Sequence, residues 1–270
     1  MINKKIISLL LFSIIFYSCN KKETEYHVNG NVYKVYSLNK NGKFQGDYQE
    51  FYDNGELKEI SIYENGVKVD SSLYFNNGKI NRIDYYLGND TLLIKNFEKG
   101  KIRSKGKFYK GQKVHIWEYY SENEKKEKVF EYINLCGKQY TNQGWYFNHN
   151  GDTLIKNSNF YKLNNFSNKI KHNEVLAFQM FYKPIIENSN SFVCLSPFIE
   201  EDFCNINNVT LDTIFAVNSN NIFDIHVSFS KIGNRNLRGF ITEYTKRTVS
   251  NDSAEYNERK VYFDIPLTIY

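Results

Sequence analysis

Residues 54–78 read NGELKEISIYENGVKVDSSLYFNNG, and this stretch decides the fold of the chain. An Asn-Gly pair stands at its start, near its middle and at its end, at residues 54–55, 65–66 and 77–78. Asn-Gly accommodates the positive φ values of a tight hairpin turn, because Gly has no Cβ and Asn tolerates the left-handed region. The residues between the pairs include Ile, Val, Tyr and Phe, which suit strands. The stretch therefore predicts repeated strand, turn and strand.

The same spacing continues on both sides of this stretch. One series of turn residues recurs at intervals of 24, 22 and 23 residues: Gly42, Gly66, Gly88 and Gly111. A second series recurs at intervals of 23, 22 and 23 residues: Gly55, Gly78, Gly100 and Asn123. Each hairpin is too small to bury its own apolar face, so neighbouring hairpins must stack. The repeat predicts an elongated antiparallel β-hairpin meander over residues 41–161.

Two segments carry a resemblance to a known family. Residues 46–58 read GDYQEFYDNGELK, and residues 111–120 read GQKVHIWEYY. Their order of Gly, aromatic pair, Asx-Gly turn and charged strand resembles the MORN-repeat variant family, over residues 41–161. The resemblance implies an array of β-hairpins. Some cytoplasmic members of that family are labelled antitoxins, whereas others are envelope lipoproteins of Bacteroidota, which the Asn-, Lys-, Tyr- and Ile-rich composition here resembles.

The N-terminus has the pattern of an export signal. Two lysines precede an apolar run from Ile6 to Tyr17, and Ser18-Cys19 then meets a polar segment. A basic start, a short apolar run and a small residue at the cleavage point are typical of a secretory signal peptide. A Cys directly after the small residue resembles a bacterial lipobox. We therefore expect lipid on Cys19, which attaches the chain to the membrane; a plain signal peptide or an anchor is the alternative.

A second region follows Tyr161, where the periodicity ends. Residues 223–230 read FDIHVSFS and alternate between apolar and polar, as do residues 261–270. Further candidate strands are residues 175–182, 192–195, 209–217 and 239–249. Six or so strands without a helical stretch predict a β-sandwich. Proline has no backbone N–H to donate to a neighbouring strand. Pro266 therefore predicts that the last strand lies at a sheet edge, or that the nitrogen of Pro266 faces solvent.

The predicted fold class is all-β, an antiparallel hairpin meander followed by a C-terminal sandwich. The expected segments are a signal peptide at residues 1–18, a tether and first strand at 19–40, hairpin repeats at 41–161, a linker at 162–173 and the sandwich-like domain at 174–270. Aromatic residues make up 17% of the chain, which agrees with strands. Lys and Arg number 35 against 30 Asp and Glu, a balance that gives no argument for a nucleic-acid partner.

Three cysteines follow Cys19. In an oxidising compartment two of them can form a disulfide. Cys194 and Cys204 are the expected pair, because they close a short loop within one region. The alternative is that these two and Cys136 are buried free thiols.

No catalytic set emerges from the sequence. No histidine lies at i,i+2 or i,i+4 from another His or from a Cys, the pairings that metal sites use, and His226 alternates with Asp224 on a polar strand face. There is no Gly-x-Ser-x-Gly motif, and the glycines mark hairpins rather than phosphate loops. The acidic triplet Glu200-Glu201-Asp202 is expected to be a solvated loop. We therefore predict a protein that is not an enzyme, with no catalytic residue, metal or cofactor.

Four Asp-Ser/Thr-aliphatic triplets resemble the O-glycosylation sites of Bacteroidota envelope proteins. Their candidate acceptors are Thr91, Thr153, Thr213 and Ser253. The alternative is that Asp-Thr simply follows a turn and opens a strand.

Three functional hypotheses follow. The first is a lipid-anchored cell-envelope protein at the outer membrane, on either the periplasmic or the surface face. It would act as a non-catalytic interaction scaffold for an unknown envelope protein or glycan, through its aromatic hairpins and its sandwich. The second is an antitoxin or immunity-type protein that neutralises a toxic partner. An envelope enzyme acting on glycan or peptide comes last, because no catalytic set was found.

Overall fold

Eleven strands follow one another in chain order in one antiparallel sheet, which confirms the predicted meander. The computed structural model describes residues 21–217, 220–250 and 253–270, with only the backbone at 250, 253 and 254. The expected signal peptide and Cys19 lie outside these residues. The chain divides into two compact units, a first that ends at Lys79 and a second that spans Ile80–Tyr270.

The meander begins with five strands: β1 (Lys21–Tyr26), β2 (Val32–Leu38), β3 (Gly46–Phe51), β4 (Leu57–Glu64) and β5 (Val67–Asn76). Six more complete it: β6 (Lys79–Gly88), β7 (Thr91–Glu98), β8 (Lys101–Tyr109), β9 (Gln112–Tyr120), β10 (Lys126–Leu135) and β11 (Lys138–Tyr146).

The hairpin turns have the backbone geometry that the turn residues predict. Asn65 and Gly66 have φ values of 51° and 86°, and Lys110 and Gly111 have 48° and 79°. Positive φ at both central residues defines a type I′ turn, whose twist matches that of the flanking strands. This two-residue turn joins β4 to β5 and β8 to β9, whereas β2–β3 and β3–β4 have longer loops in which Gly42 and Gly55, but not the Asn before them, have positive φ.

Aromatic side chains pack against one another in the first unit. The ring centroid of Phe44 lies 5.5 Å from that of Tyr48 and 5.1 Å from that of Tyr63. Tyr36 meets Phe44 edge to face, with centroids 5.0 Å apart. Such tilted and edge contacts add to the gain from burial, and Tyr48 is only 5% exposed. These rings form the core of the first unit.

One row of residues in the second unit places each of two glycines beside a bulky aromatic side chain. Ile94, Gly106, Trp117, Phe130 and Gly144 stand opposite one another on β7 to β11. A Cβ on Gly106 would lie 2.4 Å from the Trp117 ring, and a Cβ on Gly144 would lie 2.9 Å from the Phe130 ring. The two glycines therefore leave the space in which the two rings lie.

Eight further strands form two sheets around a common core. They are β12 (Phe160–Asn164), β13 (Lys169–Ile170), β14 (Val175–Lys183), β15 (Asn190–Leu195), β16 (Asp212–Phe215), β17 (Ile222–Ser228), β18 (Gly233–Ser250) and β19 (Ser253–Ile269). One sheet has the order β12-β14-β17 and the other β13-β19-β18-β15-β16. Phe178 and Met180 from the first sheet share a buried core with Ile241, Val261 and Phe263 from the second. This arrangement confirms the predicted sandwich.

Pro266 lies within β19, next to β13 in the strand order. β13 pairs with β19 only at Thr268 and Ile269, so this side of β19 has no strand partner at Pro266. The predicted edge position of the last strand is therefore wrong, because β13 lies beyond β19 in the sheet, but β13 does not extend to Pro266, which has no N–H to donate to a ladder.

Some strand boundaries differ from the prediction. The strand expected at residues 209–217 is shorter, Asp212–Phe215. Residues 162–173, expected to be a linker, contain the end of β12 and the whole of β13. Residues 162–173 are rich in Asn and Lys, so the pairing of β12 and β13 comes from the neighbouring strands β14 and β19 rather than from an apolar pattern of their own.

Candidate binding groove

A groove opens in the second unit between two walls. Strands β8 to β11 supply one wall, and β19 together with the acidic loop, residues 200–203, supplies much of the other. The groove encloses a cavity of about 900 Å³, a volume in the range of ligand sites. Six aromatic residues line it: Tyr109, Tyr132, Tyr161, Phe203, Tyr262 and Phe263. Five carboxylates line it as well: Glu131, Glu200, Glu201, Asp202 and Asp264.

Asn142 joins β11 to β19 at the base of the groove. Its Nδ2 donates to the backbone oxygen of Tyr262, and its Oδ1 accepts from the backbone N–H of Tyr262, both at 2.8 Å. This pair of bonds imitates the ladder between two strands. The Asn142 side chain is almost fully buried, at 1% exposure of the residue. Tyr140 adds a bond from its hydroxyl to the Lys260 carbonyl, 2.6 Å away, so that the two walls are fixed in position.

An irregularity in the β10–β11 ladder positions Glu131. Phe130 pairs with Gly144 and Tyr132 with Thr141, which leaves Asn142 and Gln143 opposite the single residue Glu131. Such a bulge redirects side chains. Both amides donate to Glu131 Oε2, at 2.6 and 2.8 Å. Two neutral amides therefore hold this half-buried carboxylate in place.

A second irregularity, in β9, presents His115. Gly106 pairs with Trp117 and Lys107 with Val114, so His115 and Ile116 are extra residues in the ladder. His115 has a φ of 54°, in the left-handed region that few residues other than Gly adopt. Its side chain is exposed and lines the groove. The sequence patterns did not indicate this bulge.

The acidic loop is held at three points, two on the meander and one on β19. Cys204 forms a disulfide with Cys136, whose Cα lies 4.9 Å away. The Cys136 N–H donates to the carbonyl of Asp202 at 3.1 Å. Phe203 is 4% exposed and its ring centroid lies 4.9 Å from that of Tyr262. These contacts hold the loop as a fixed edge of the groove.

This disulfide corrects the predicted pair of Cys194 with Cys204. Cys194 lies in β15, is buried and remains a free thiol, with its Sγ 3.7 Å from Thr213 Oγ1. The β15–β16 pairing fixes Cys194 on the sheet, whereas Cys204 lies in the loop that reaches the β10–β11 turn. Cys136 and Gly137 have φ values of 51° and 78°, so they form the same type I′ turn as the Asn-Gly pairs.

Tyr132 and Tyr161, two of the groove phenols, remain neutral at physiological pH because the pKa of each is raised. Burial, followed by the nearby carboxylates of Glu131 and Asp264, raises the pKa of Tyr161. Burial, followed by the hydrogen bond with Tyr119, raises the pKa of Tyr132 to about 12. A neutral phenol can donate or accept a hydrogen bond. The field at Tyr161 also indicates that negative charge accumulates in the groove.

The five carboxylates have different partners. Asp264 forms an ion pair with Arg238, 3.1 Å from its Nε, and accepts a bond from Asn236. Within the described chain, Glu200 and Glu201 form no ion pair, and Glu131 bonds only to neutral amides. Charge is therefore balanced at Asp264 and unbalanced at the other groove carboxylates.

The other sequence-predicted residues are dispersed. Thr91 opens β7 and lines the groove, whereas Thr153 lies at an isolated β-bridge with Phe147 and Thr213 is exposed in β16. The side chain of Ser253, like Cys19, lies outside the described residues. In the described part of the chain, no group of three or more His, Cys, Asp or Glu side chains could hold a metal ion.

No protein-family model matches the chain, and no curated protein matches it. The resemblance to the MORN-repeat variant family therefore stays a prediction. Among the described residues, no helix is both long enough and apolar enough to cross a membrane.

Proposed function

We propose that this chain is a lipid-anchored, non-catalytic cell-envelope protein that binds a partner in the groove of its second unit. The groove is the observation that carries the proposal. Its walls are joined by Asn142, and its acidic loop is fixed by the disulfide and by Phe203. A preformed site binds with a smaller entropic cost, because little has to be ordered on binding.

The lining of the groove also supports binding. The rings of Tyr109, Tyr161 and Tyr262 provide apolar surface with a hydroxyl at one end, a combination that is enriched at recognition surfaces. The export signal and Cys19 support a location at the envelope, with the outer membrane favoured. The lipid would keep the groove close to the membrane surface, where an envelope partner would be met.

Site-specific photo-crosslinking in cells tests this proposal. Tyr109→p-benzoylphenylalanine puts a photoreactive group of similar shape at a groove position that is 37% exposed. Leu87→p-benzoylphenylalanine is the control, since Leu87 is 53% exposed in the same unit and does not line the groove. We expect one discrete adduct from position 109, several-fold stronger than any from position 87. Equal adducts, or none from position 109, would contradict the proposal.

The same experiment tests the anchor. In a Cys19→Ala background we expect loss of fatty-acid labelling and of membrane association, and a weaker adduct from position 109. Labelling that persists in Cys19→Ala would reject lipid on that residue. An adduct with a secreted toxin would favour the immunity-type hypothesis over the scaffold.

A further inference from the structure

The groove has an excess of negative charge. Five carboxylates line it, against one lysine, Lys107, and one histidine, His115. Arg238 balances Asp264 alone. A groove with aromatic walls and this charge attracts a cation by Coulomb forces and by the negative faces of its rings.

The hydrogen-bonding groups that remain open in the groove include several acceptors. Both ends of the Asn142 amide are bonded to Tyr262, and the Gln143 amide is bonded to Glu131 and to the backbone of Tyr161. The carboxylates of Glu131, Glu200 and Glu201 remain as acceptors that no basic side chain of the described residues pairs with.

Glu131 is the best placed of these acceptors. The two amides that hold its Oε2 carry no charge, and no basic side chain of the described chain bonds to it. A carboxylate held in this way is oriented before a ligand arrives. Charge-assisted hydrogen bonds to such a group are roughly twice as strong as neutral ones.

We propose that the occupant of the groove is an arginine- or lysine-bearing segment of a partner protein. Guanidinium and ammonium groups are donors only, so they match the oriented carboxylate of Glu131 and the free carboxylates of Glu200 and Glu201. The methylene stem of either side chain packs on the tyrosine rings. A glycan fits less well, because its hydroxyls need amide donors and acceptors together, and the amides of Asn142 and Gln143 are already bonded. This inference rests on the proposed function.

Titration calorimetry with hexa-arginine tests the charge of the occupant. Hexacitrulline is the matched neutral peptide, and spermine and a chitin oligosaccharide are the competing ligands. We expect hexa-arginine to bind one site per chain and hexacitrulline not to bind. Glu131→Gln, and separately Glu200→Gln with Glu201→Gln, should each weaken binding by about tenfold to a hundredfold, the range for a hydrogen bond to a charged group. Glu64→Gln with Glu174→Gln removes two exposed charges elsewhere and should leave the affinity unchanged.

Several results would overturn the inference. The first is that hexa-arginine binds both groove variants with the wild-type affinity. The second is that hexacitrulline or spermine binds as tightly as hexa-arginine. The third is that the groove binds the chitin oligosaccharide and not hexa-arginine. The photo-crosslinking result separates this failure from failure of the proposed function. A specific adduct from position 109 without binding of hexa-arginine means that the groove binds a partner of different chemistry.

Discussion

Replacing Trp117 with alanine should lower the free energy of unfolding by about 3–5 kcal/mol, the range for truncating a buried aromatic residue. Trp117 is 1% exposed and its Nε1 donates to the Lys107 carbonyl at 2.9 Å. Gly106 has no side chain to move into the space that the ring would leave. The substitution therefore creates a cavity and leaves a backbone acceptor without its partner, at a strand that lines the groove.

Urea denaturation followed by far-ultraviolet circular dichroism measures this effect. Ile116→Ala is the matched control, because Ile116 lies on the same strand and is 45% exposed. We expect the control to change the free energy of unfolding by less than about 1 kcal/mol. Equal losses for Trp117→Ala and Ile116→Ala would show that Trp117 has no special place in the core of the meander.

Removal of the disulfide should have an effect of similar size. Cys136 and Cys204 are 68 residues apart, and closing a loop of that length stabilises a protein by about 4 kcal/mol in the chain-entropy account. Cys136→Ser with Cys204→Ser should lose about this amount. The acidic loop should also exchange its amide hydrogens faster, because Phe203 and the Cys136–Asp202 bond alone would hold it.

Denaturation with and without dithiothreitol identifies the bonded pair. Dithiothreitol should lower the stability of the wild-type protein to that of the double variant and leave the double variant unchanged. Cys194→Ala should retain the sensitivity to dithiothreitol, since Cys194 is a free thiol in the structure. If Cys194→Ala removed that sensitivity, Cys194 rather than Cys136 would be the partner of Cys204.

Local sequence predicted the elements of this protein because local chemistry determines them. Asn65-Gly66 and Asn77-Gly78 have positive φ at both turn residues, as Asn-Gly favours. Alternation in residues 223–230 buries Phe223 and Ile225 on one face of β17. Glycine spacing also carried a signal that was missed. Cys136-Gly137 continues the turn series 26 residues after Gly111, and a type I′ turn there puts Cys136 at a hairpin tip.

The groove depends on residues that are distant in the chain. Asn142 and Tyr262 are separated by 120 residues, and nothing in the sequence around either one indicates the other. Glu200 and Glu201 were predicted to be solvated, and they are exposed, but their position at the groove follows from the disulfide and from Phe203. Sequence patterns of period two define strands and faces, whereas the pairing of the two walls is a tertiary property.

Occupancy of the groove in its native setting is the most direct test of the account. Tyr109→Cys puts a thiol in the groove, and Leu87→Cys puts one on the same unit outside it. The rate of maleimide labelling is measured for each variant in intact envelopes and in the purified protein. The account predicts that position 109 is labelled several-fold more slowly in envelopes than in the purified protein, whereas position 87 reacts equally in both. Equal rates at position 109 in the two settings would contradict the claim that this groove binds a partner.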